Sequence, residues 1–311
     1  MIVAATAAAA IVSEINRFLP PRFGLRDEAL LFGGISFIFM IMKIFNLDNI
    51  REIIQRNIVS RFLMLSTALL FGWSATISLS YSIQIFSLPL IDDTLLAADK
   101  FIGCDYIKLM SWIKDHPKIA DALGEIYNLF PALIVLLTLS DLALKNRSNI
   151  GERFFTSALI AFLLAFMICA LLPAAGAASL LDSETAALAT GATPLDCLYA
   201  LRSGDMPQFS RAASGGLVSF PSMHVAIAVL ALHATKAVRC LFLCVLPICA
   251  GFCITALTHG GHYLVDCFAG AAVAAAAIRL NITFHNFSVP HLQVGWLSFQ
   301  RDLTCDVGGA A

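Results

Sequence analysis

The sequence predicts an all-α protein, a polytopic bundle of helices embedded in a membrane. Of its 311 residues, 59% are hydrophobic and only 13% are charged, which is typical of one bilayer-embedded domain and not of two soluble ones. Several apolar runs reach the roughly 20 residues that a helix needs to cross the hydrocarbon core. The net charge is -1 and the basic residues form short separate clusters, which excludes a nucleic-acid partner.

Seven apolar segments are expected to span the bilayer. They lie near residues 29–47, 62–82, 119–143, 153–173, 217–237, 240–258 and 262–280. Residues 1–13 are apolar but follow no basic region, which favours a short inserted or interfacial helix over a signal peptide. The pattern predicts N-terminal membrane segments and a basic linker over 1–61, a catalytic membrane domain over 62–280, and a cytoplasmic tail over 281–311.

Basic residues mark one side of the membrane. They are concentrated in three short linkers, residues 48–61, 144–152 and 238–239. The positive-inside rule places these linkers in the cytoplasm. The acidic connections 83–118 and 174–216 should then face outside. Within the first, residues 105–118 mix apolar side chains with charges, which predicts a helix lying at the membrane surface.

The first chemical motif is Phe220-Pro221-Ser222-Met223-His224, at the start of an apolar helix. Proline suits a first helical position because its missing N–H would have had no partner there. The unpaired N–H groups of that first turn form an anion site, to which Ser222 adds a hydroxyl donor. His224 is expected one turn inside the helix, beside the bound anion.

The second motif is the segment HGGHYLVD at residues 259–266, whose two glycines allow a tight turn before the last span begins. His262 and Asp266 are four residues apart and would share one face of a helix. An aspartate that accepts a hydrogen bond from one imidazole nitrogen fixes the tautomer and leaves the other nitrogen as a nucleophile. A lone histidine at a span end is usually interfacial, but an aspartate inside an apolar helix is costly and usually functional.

The two motifs are predicted to lie at similar depth. Arg239 lies 15 residues after His224, and Arg279 lies 17 residues after His262. At about 1.5 Å per residue, the histidines stand roughly 22 and 26 Å above the cytoplasmic boundary. They should meet near the outer surface. Glu125, Tyr127 and Asn128, at the start of the 119–143 span, are candidates either for polar lining of the site or for helix packing.

These residues resemble the phosphatidic acid phosphatase type 2 superfamily, whose second signature reads P-S-x-H and whose third ends H-x-x-x-D. Pro221, Ser222 and His224 match the second signature, and His262 and Asp266 match the third. The surrounding residues are most similar to the branch that includes inositol phosphorylceramide synthases and bacterial relatives. The resemblance covers residues 90–280.

The resemblance implies a six-helix core, with one or two extra N-terminal helices, and a site at one membrane face without metal or other cofactor. His262 would form a phosphohistidine, Asp266 would orient it, and His224 would protonate the leaving alkoxide. The substrate would be a lipid phosphate or phospholipid, with water or an alcohol as acceptor. This implies a phosphatase or a phosphotransferase of lipid or sphingolipid metabolism. The expected location is a bacterial inner membrane, with the site facing the periplasm or lumen.

Two departures leave the phosphate-binding cations unassigned. The superfamily's first signature, K-x-x-x-x-x-x-R-P, is absent, and the serine-arginine pair that opens the third signature is Thr255-Ala256 here. Arg202 and Arg211, in the outer connection before Pro221, are the candidate replacements because an arginine can hold two phosphate oxygens at once.

Two other functions stay open on the sequence. His224, His259, His262 and Asp266 could bind zinc or iron in a metal-dependent membrane hydrolase, since histidine and carboxylate at i and i+4 can ligate one ion. A transporter could use the same intramembrane residues to bind protons or substrate. The choice of acceptor, the protein partners and the oligomeric state are not determined by the sequence.

Overall fold

A computed structural model of the chain describes residues 72, 76, 79–84, 88–143, 150–190, 195–204 and 217–287. The predicted N-terminal region 1–61, with its span 29–47, lies outside the described residues. So do most of the span 62–82 and the tail beyond residue 287. The described residues form helices and connecting loops without a β-strand, which confirms the all-α prediction.

Residues 79–84 are helical, and ten α-helices follow one another from residue 92 onward. They are α1 (Asp92–Ile102), α2 (Tyr106–Lys114), α3 (Pro117–Asn128), α4 (Phe130–Ala143), α5 (Ile150–Leu171), α6 (Ser183–Ala186), α7 (Leu195–Ser203), α8 (Met223–Thr235), α9 (Arg239–Thr258) and α10 (Leu264–Phe287). A 3-10 turn over Ala177–Leu180 follows α5. The surface helix predicted over 105–118 corresponds to α2 and the first residues of α3.

Four helical segments are long and apolar enough to cross a membrane: Pro117–Ser140, Arg153–Leu171, Arg239–Thr258 and Leu264–Thr283. They coincide with four of the predicted spans, within a few residues at each end. These segments identify an integral membrane protein. The six-helix core remains a prediction, because much of the region before α1 lies outside the described residues.

The predicted span 217–237 differs from the structure. Its helix, α8, begins only at Met223 and has 13 residues, fewer than a helix needs to cross the hydrocarbon core. The preceding residues are not helical because their polar groups bond to other segments: the Leu217 N–H donates to the Ser80 hydroxyl, and the Ser222 N–H donates to the Asp266 carbonyl.

The predicted span 119–143 is divided at Leu129 into α3 and α4. Pro131 causes the division, because a proline has no N–H to donate to the Tyr127 carbonyl and its ring crowds that turn. The break matters for the site, because Tyr127 and Phe130 lie on either side of it.

Two hydrophobic clusters hold the elements around the second motif. The larger lies within the bundle, where α8 packs on α5, α9 and α10, and it includes Leu137, Phe154 and Phe252. The smaller joins α1 and α2 to the 3-10 turn and to Tyr263. Tyr263, in the turn between α9 and α10, belongs to the smaller cluster, whereas both helices pack in the larger one. This turn carries the second motif.

Candidate active site

His262 lies in the turn before α10, two residues ahead of the helix and not within it. Its Nδ1 is 2.7 Å from the backbone carbonyl oxygen of Ser219 and 3.4 Å from Asp266 Oδ2. Because a carbonyl oxygen only accepts hydrogen bonds, Nδ1 must carry the proton. Nε2 then keeps its lone pair, which is the state required of a nucleophile.

The carboxylate of Asp266 is fully buried in the first turn of α10. Its Oδ2 accepts a hydrogen bond from the Tyr263 N–H at 2.9 Å and also faces His262. Sequence reasoning predicted the contact between Asp266 and His262. It missed the shorter contact to Ser219, which is 43 residues away in the chain and uses a backbone atom that every residue has.

His224 lies in the first turn of α8, with its ring centroid 6.2 Å from that of His262. Aromatic rings surround it: Tyr127 stacks on it at 4.6 Å, and Phe130 lies at 4.1 Å. The structure therefore brings together the two histidines that the sequence placed at similar depth. Of the three polar candidates near the start of the 119–143 span, Tyr127 contacts the site.

The start of α8 has the features of an anion site. Ser222 is its N-cap but makes no side-chain capping bond. The hydroxyl of Ser222 is buried and has no hydrogen-bond partner among the described residues. A buried hydroxyl without a partner costs about 1–3 kcal/mol, and a bound anion would supply the missing acceptor.

Close backbone packing joins α8 to α10. The Ser222 N–H donates to the Asp266 carbonyl at 3.1 Å. A Cβ atom at Gly270, one turn further along α10, would lie only 2.2 Å from the Ser222 carbonyl oxygen. Only glycine lets the helix carrying Asp266 approach the first turn of α8 this closely.

The turn before α10 also depends on glycine. Gly261 has a φ of 66°, in the left-handed region that favours glycine. The side chain of His259, two residues earlier, contacts other groups: its Nδ1 lies 2.9 Å from Thr258 Oγ1, and its ring stacks on Tyr127 at 6.1 Å. Burial lowers the pKa of His259, so this imidazole is neutral at pH 7.

A four-residue metal site is not assembled. Among the described residues, no group of three or more histidine, cysteine, aspartate or glutamate side chains is arranged to hold a metal ion. His259 in particular is directed to Thr258 and not toward the other three candidate ligands.

Of the two candidate phosphate-binding arginines, the structure describes only Arg202. Arg202 lies in the last turn of α7, and its guanidinium donates a hydrogen bond to the Leu88 carbonyl. Arg211 lies outside the described residues.

Sequence reasoning also missed Asp92 and Asp99 of α1, which bond to the residues just after His262. Their segment was predicted only as an acidic outer connection.

Together, these observations define a membrane protein with helices of spanning length that holds a buried histidine–aspartate pair beside a second histidine. The sequence model of the PAP2 superfamily matches residues 93–280, more than half of the chain, and the protein belongs to that superfamily. Membership indicates an enzyme of phosphatase or phosphotransferase type. No curated protein and no solved structure shows significant similarity to the chain.

Proposed function

We propose that the protein transfers a phosphoryl or phospho-headgroup from a lipid to water or to an alcohol, through a phosphohistidine on His262. The observation that supports this most directly is the hydrogen bond from His262 Nδ1 to the Ser219 carbonyl at 2.7 Å, with Asp266 Oδ2 3.4 Å from the same nitrogen. This bonding fixes the tautomer in which Nε2 is the free nucleophile.

In the first step, His262 Nε2 attacks phosphorus and the bond to the leaving alkoxide breaks. The ring centroid of His224 lies 6.2 Å from that of His262. His224 donates its proton to the alkoxide, so a neutral alcohol or diacylglycerol-like product leaves. In the second step, His224 takes a proton from water or from the acceptor alcohol, whose oxygen attacks the phosphohistidine. The nitrogen–phosphorus bond breaks and His262 returns to its starting state.

Ser222 and the first turn of α8 are the proposed anion site for the phosphate. The unpartnered hydroxyl of Ser222 can donate to a phosphate oxygen, and the helix dipole favours negative charge there. Arg211 is the proposed cation that completes the site. Arg202 is a weaker proposal, since its guanidinium already bonds to the Leu88 carbonyl.

A lipid substrate agrees with the surroundings of the site. Next to it, α1 and α2 expose Phe101 (93%) and Trp112 (49%), side chains typical of a segment at a lipid–water interface. The absent first signature and the resemblance of residues 220–226 and 261–266 to the branch with inositol phosphorylceramide synthases favour a sphingolipid-type phosphotransferase over a plain phosphatase. We further propose a bacterial inner membrane, with the site on its outer side.

The test is mass spectrometry of lipids after incubation with the pure protein, with and without an alcohol such as inositol. Phosphatidic acid and phosphatidylinositol with ceramide are the donors to try, and His262→Ala is the control. Free lipid with released phosphate would indicate a phosphatase, and a new headgroup ester would indicate a phosphotransferase. If wild type and His262→Ala leave every donor equally unchanged, the proposed function is wrong.

A further inference from the structure

Two aspartates of α1 approach the nucleophile from outside the two sequence motifs. Asp92 and Asp99 are seven residues apart, so they lie on one face of the helix, two turns from each other. Asp99 is 1% exposed. A buried carboxylate is costly unless its oxygens accept hydrogen bonds, and both aspartates are fully used in this way.

Asp99 binds the first turn of α10. Its Oδ2 accepts from the Leu264 N–H at 2.8 Å, and its Oδ1 accepts from the Val265 N–H at 2.9 Å. The N–H of Tyr263, just before them, donates to Asp266. Three successive backbone N–H groups at the start of α10 therefore donate to carboxylates. The start of α8, by contrast, has no side-chain cap.

Asp92 binds the loop after α5. Its oxygens accept from the N–H groups of Ala175 and Gly176, both at 2.9 Å, and from the Tyr263 hydroxyl at 3.2 Å. The Ala175 carbonyl in turn accepts a hydrogen bond from the Ser219 hydroxyl at 3.1 Å. Asp92 is thus linked to Ser219, whose backbone carbonyl binds His262.

We propose that Asp92 and Asp99 are positioning residues for the nucleophile, in the reaction proposed above. Each fixes one of the two oxygen atoms that His262 Nδ1 faces: Asp92 fixes the Ser219 carbonyl through Ala175, and Asp99 fixes the turn that contains Asp266. By occupying the N–H groups of α10, Asp99 also leaves the start of α8 as the place where the phosphate binds.

Two inhibitors can distinguish alignment of the nucleophile from binding of phosphate. Inorganic phosphate needs only the anion site at Ser222. Orthovanadate takes a fifth ligand from a nucleophile, so its affinity also depends on where His262 Nε2 points, as expected of a transition-state analogue. A change that misaligns His262 should weaken vanadate and lower kcat together while phosphate still binds.

The main variant is Asp99→Asn, which keeps the size of the side chain but has one accepting oxygen for two N–H groups. We expect kcat to fall by about tenfold or more, since a displacement of 1 Å can cost on the order of 10²-fold. The inhibition constant of orthovanadate should rise by a similar factor, while that of inorganic phosphate stays within about twofold. Asp93→Asn is the matched control, because Asp93 is adjacent and exposed.

An Asp99→Asn enzyme with kcat within threefold of wild type would overturn the proposal. Equal weakening of vanadate and phosphate would also overturn it, because the role would then be general support of the site. If Asp99→Asn does not fold, Asp92→Asn is measured by the same criteria, with a smaller expected loss of severalfold. A wild-type enzyme that is active on lipid phosphates but insensitive to both anions would count against the phosphohistidine mechanism instead.

Discussion

The contact between α8 and α10 makes Gly270→Ala the most informative single substitution. The added methyl would lie 2.2 Å from the Ser222 carbonyl oxygen, whereas ordinary contacts at such a carbon begin at 3.4 Å. The neighbouring atoms are backbone, so no side chain can rotate away. The two helices must therefore separate by about 1 Å, which moves Asp266 relative to Ser222 and the anion-binding turn.

The effects of this substitution on activity and on stability should differ. A displacement of about 1 Å at a reacting centre costs on the order of 10²-fold in rate. Overpacking costs about 1–3 kcal/mol of folding free energy, but replacing a helical glycine by alanine returns about 1 kcal/mol. The expected result is a near-inactive protein that is less stable by only about 0–2 kcal/mol.

The assay is phosphate release or headgroup transfer from the active lipid donor, together with thermal unfolding in the same detergent. Ala272→Val is the control, because Ala272 is exposed on the same helix and the change also adds volume. An active Gly270→Ala enzyme, within threefold of wild type in kcat, would refute the conclusion that this close approach sets the geometry of the site.

Three further predictions concern the histidine–aspartate pair, the candidate phosphate-binding arginines and the contact of α2 with the membrane. His262→Ala and Asp266→Asn should each lower turnover by at least about 10³-fold while the protein stays folded, because nucleophile and orienting group act as a unit; near wild-type activity in His262→Ala would exclude the mechanism. Arg211→Ala should lower kcat/KM by roughly 10²-fold, with little rescue by lysine and a smaller effect of Arg202→Ala, since a guanidinium can hold two phosphate oxygens; steady-state kinetics within threefold of wild type for Arg211→Ala would exclude that residue. Trp112, 49% exposed on α2, should be quenched by brominated lipids in a variant that keeps only this tryptophan; quenching by aqueous iodide alone would show that α2 does not contact the membrane.

The features that sequence reasoning predicted correctly are local ones. Apolar runs of sufficient length gave four spans, and the four-residue spacing of His262 and Asp266 placed the two side chains in contact. Matched depth along two helices brought His224 to the same place. The spans follow from hydropathy within one segment, and the matched depth follows from the helical rise per residue. The contact between His262 and Asp266 was predicted as a helical pair, but His262 lies in the turn before α10 and meets Asp266 from there.

The features it missed depend on contacts between distant segments. The Ser219 carbonyl carries no side-chain signal, and its partner is 43 residues away. Asp92 and Asp99 bind atoms more than 80 residues away, although their seven-residue spacing in an otherwise mostly apolar helix was a visible sign of one polar face. The end of α3 at Asn128 could have been predicted from the sequence, because Pro131 lies inside the predicted span 119–143.

The central claim is that His262 Nε2 forms a covalent bond to phosphorus. It is tested most directly in His224→Ala, incubated with an activated aryl phosphate whose leaving group needs no proton, quenched in alkali and mapped by tandem mass spectrometry. We predict slow labelling of His262, which accumulates because the second step also needs the base at 224, and no labelling when Asp266→Asn is added. A phosphoryl group on any other residue, or turnover by His224→Ala without labelling of His262, would contradict the mechanism.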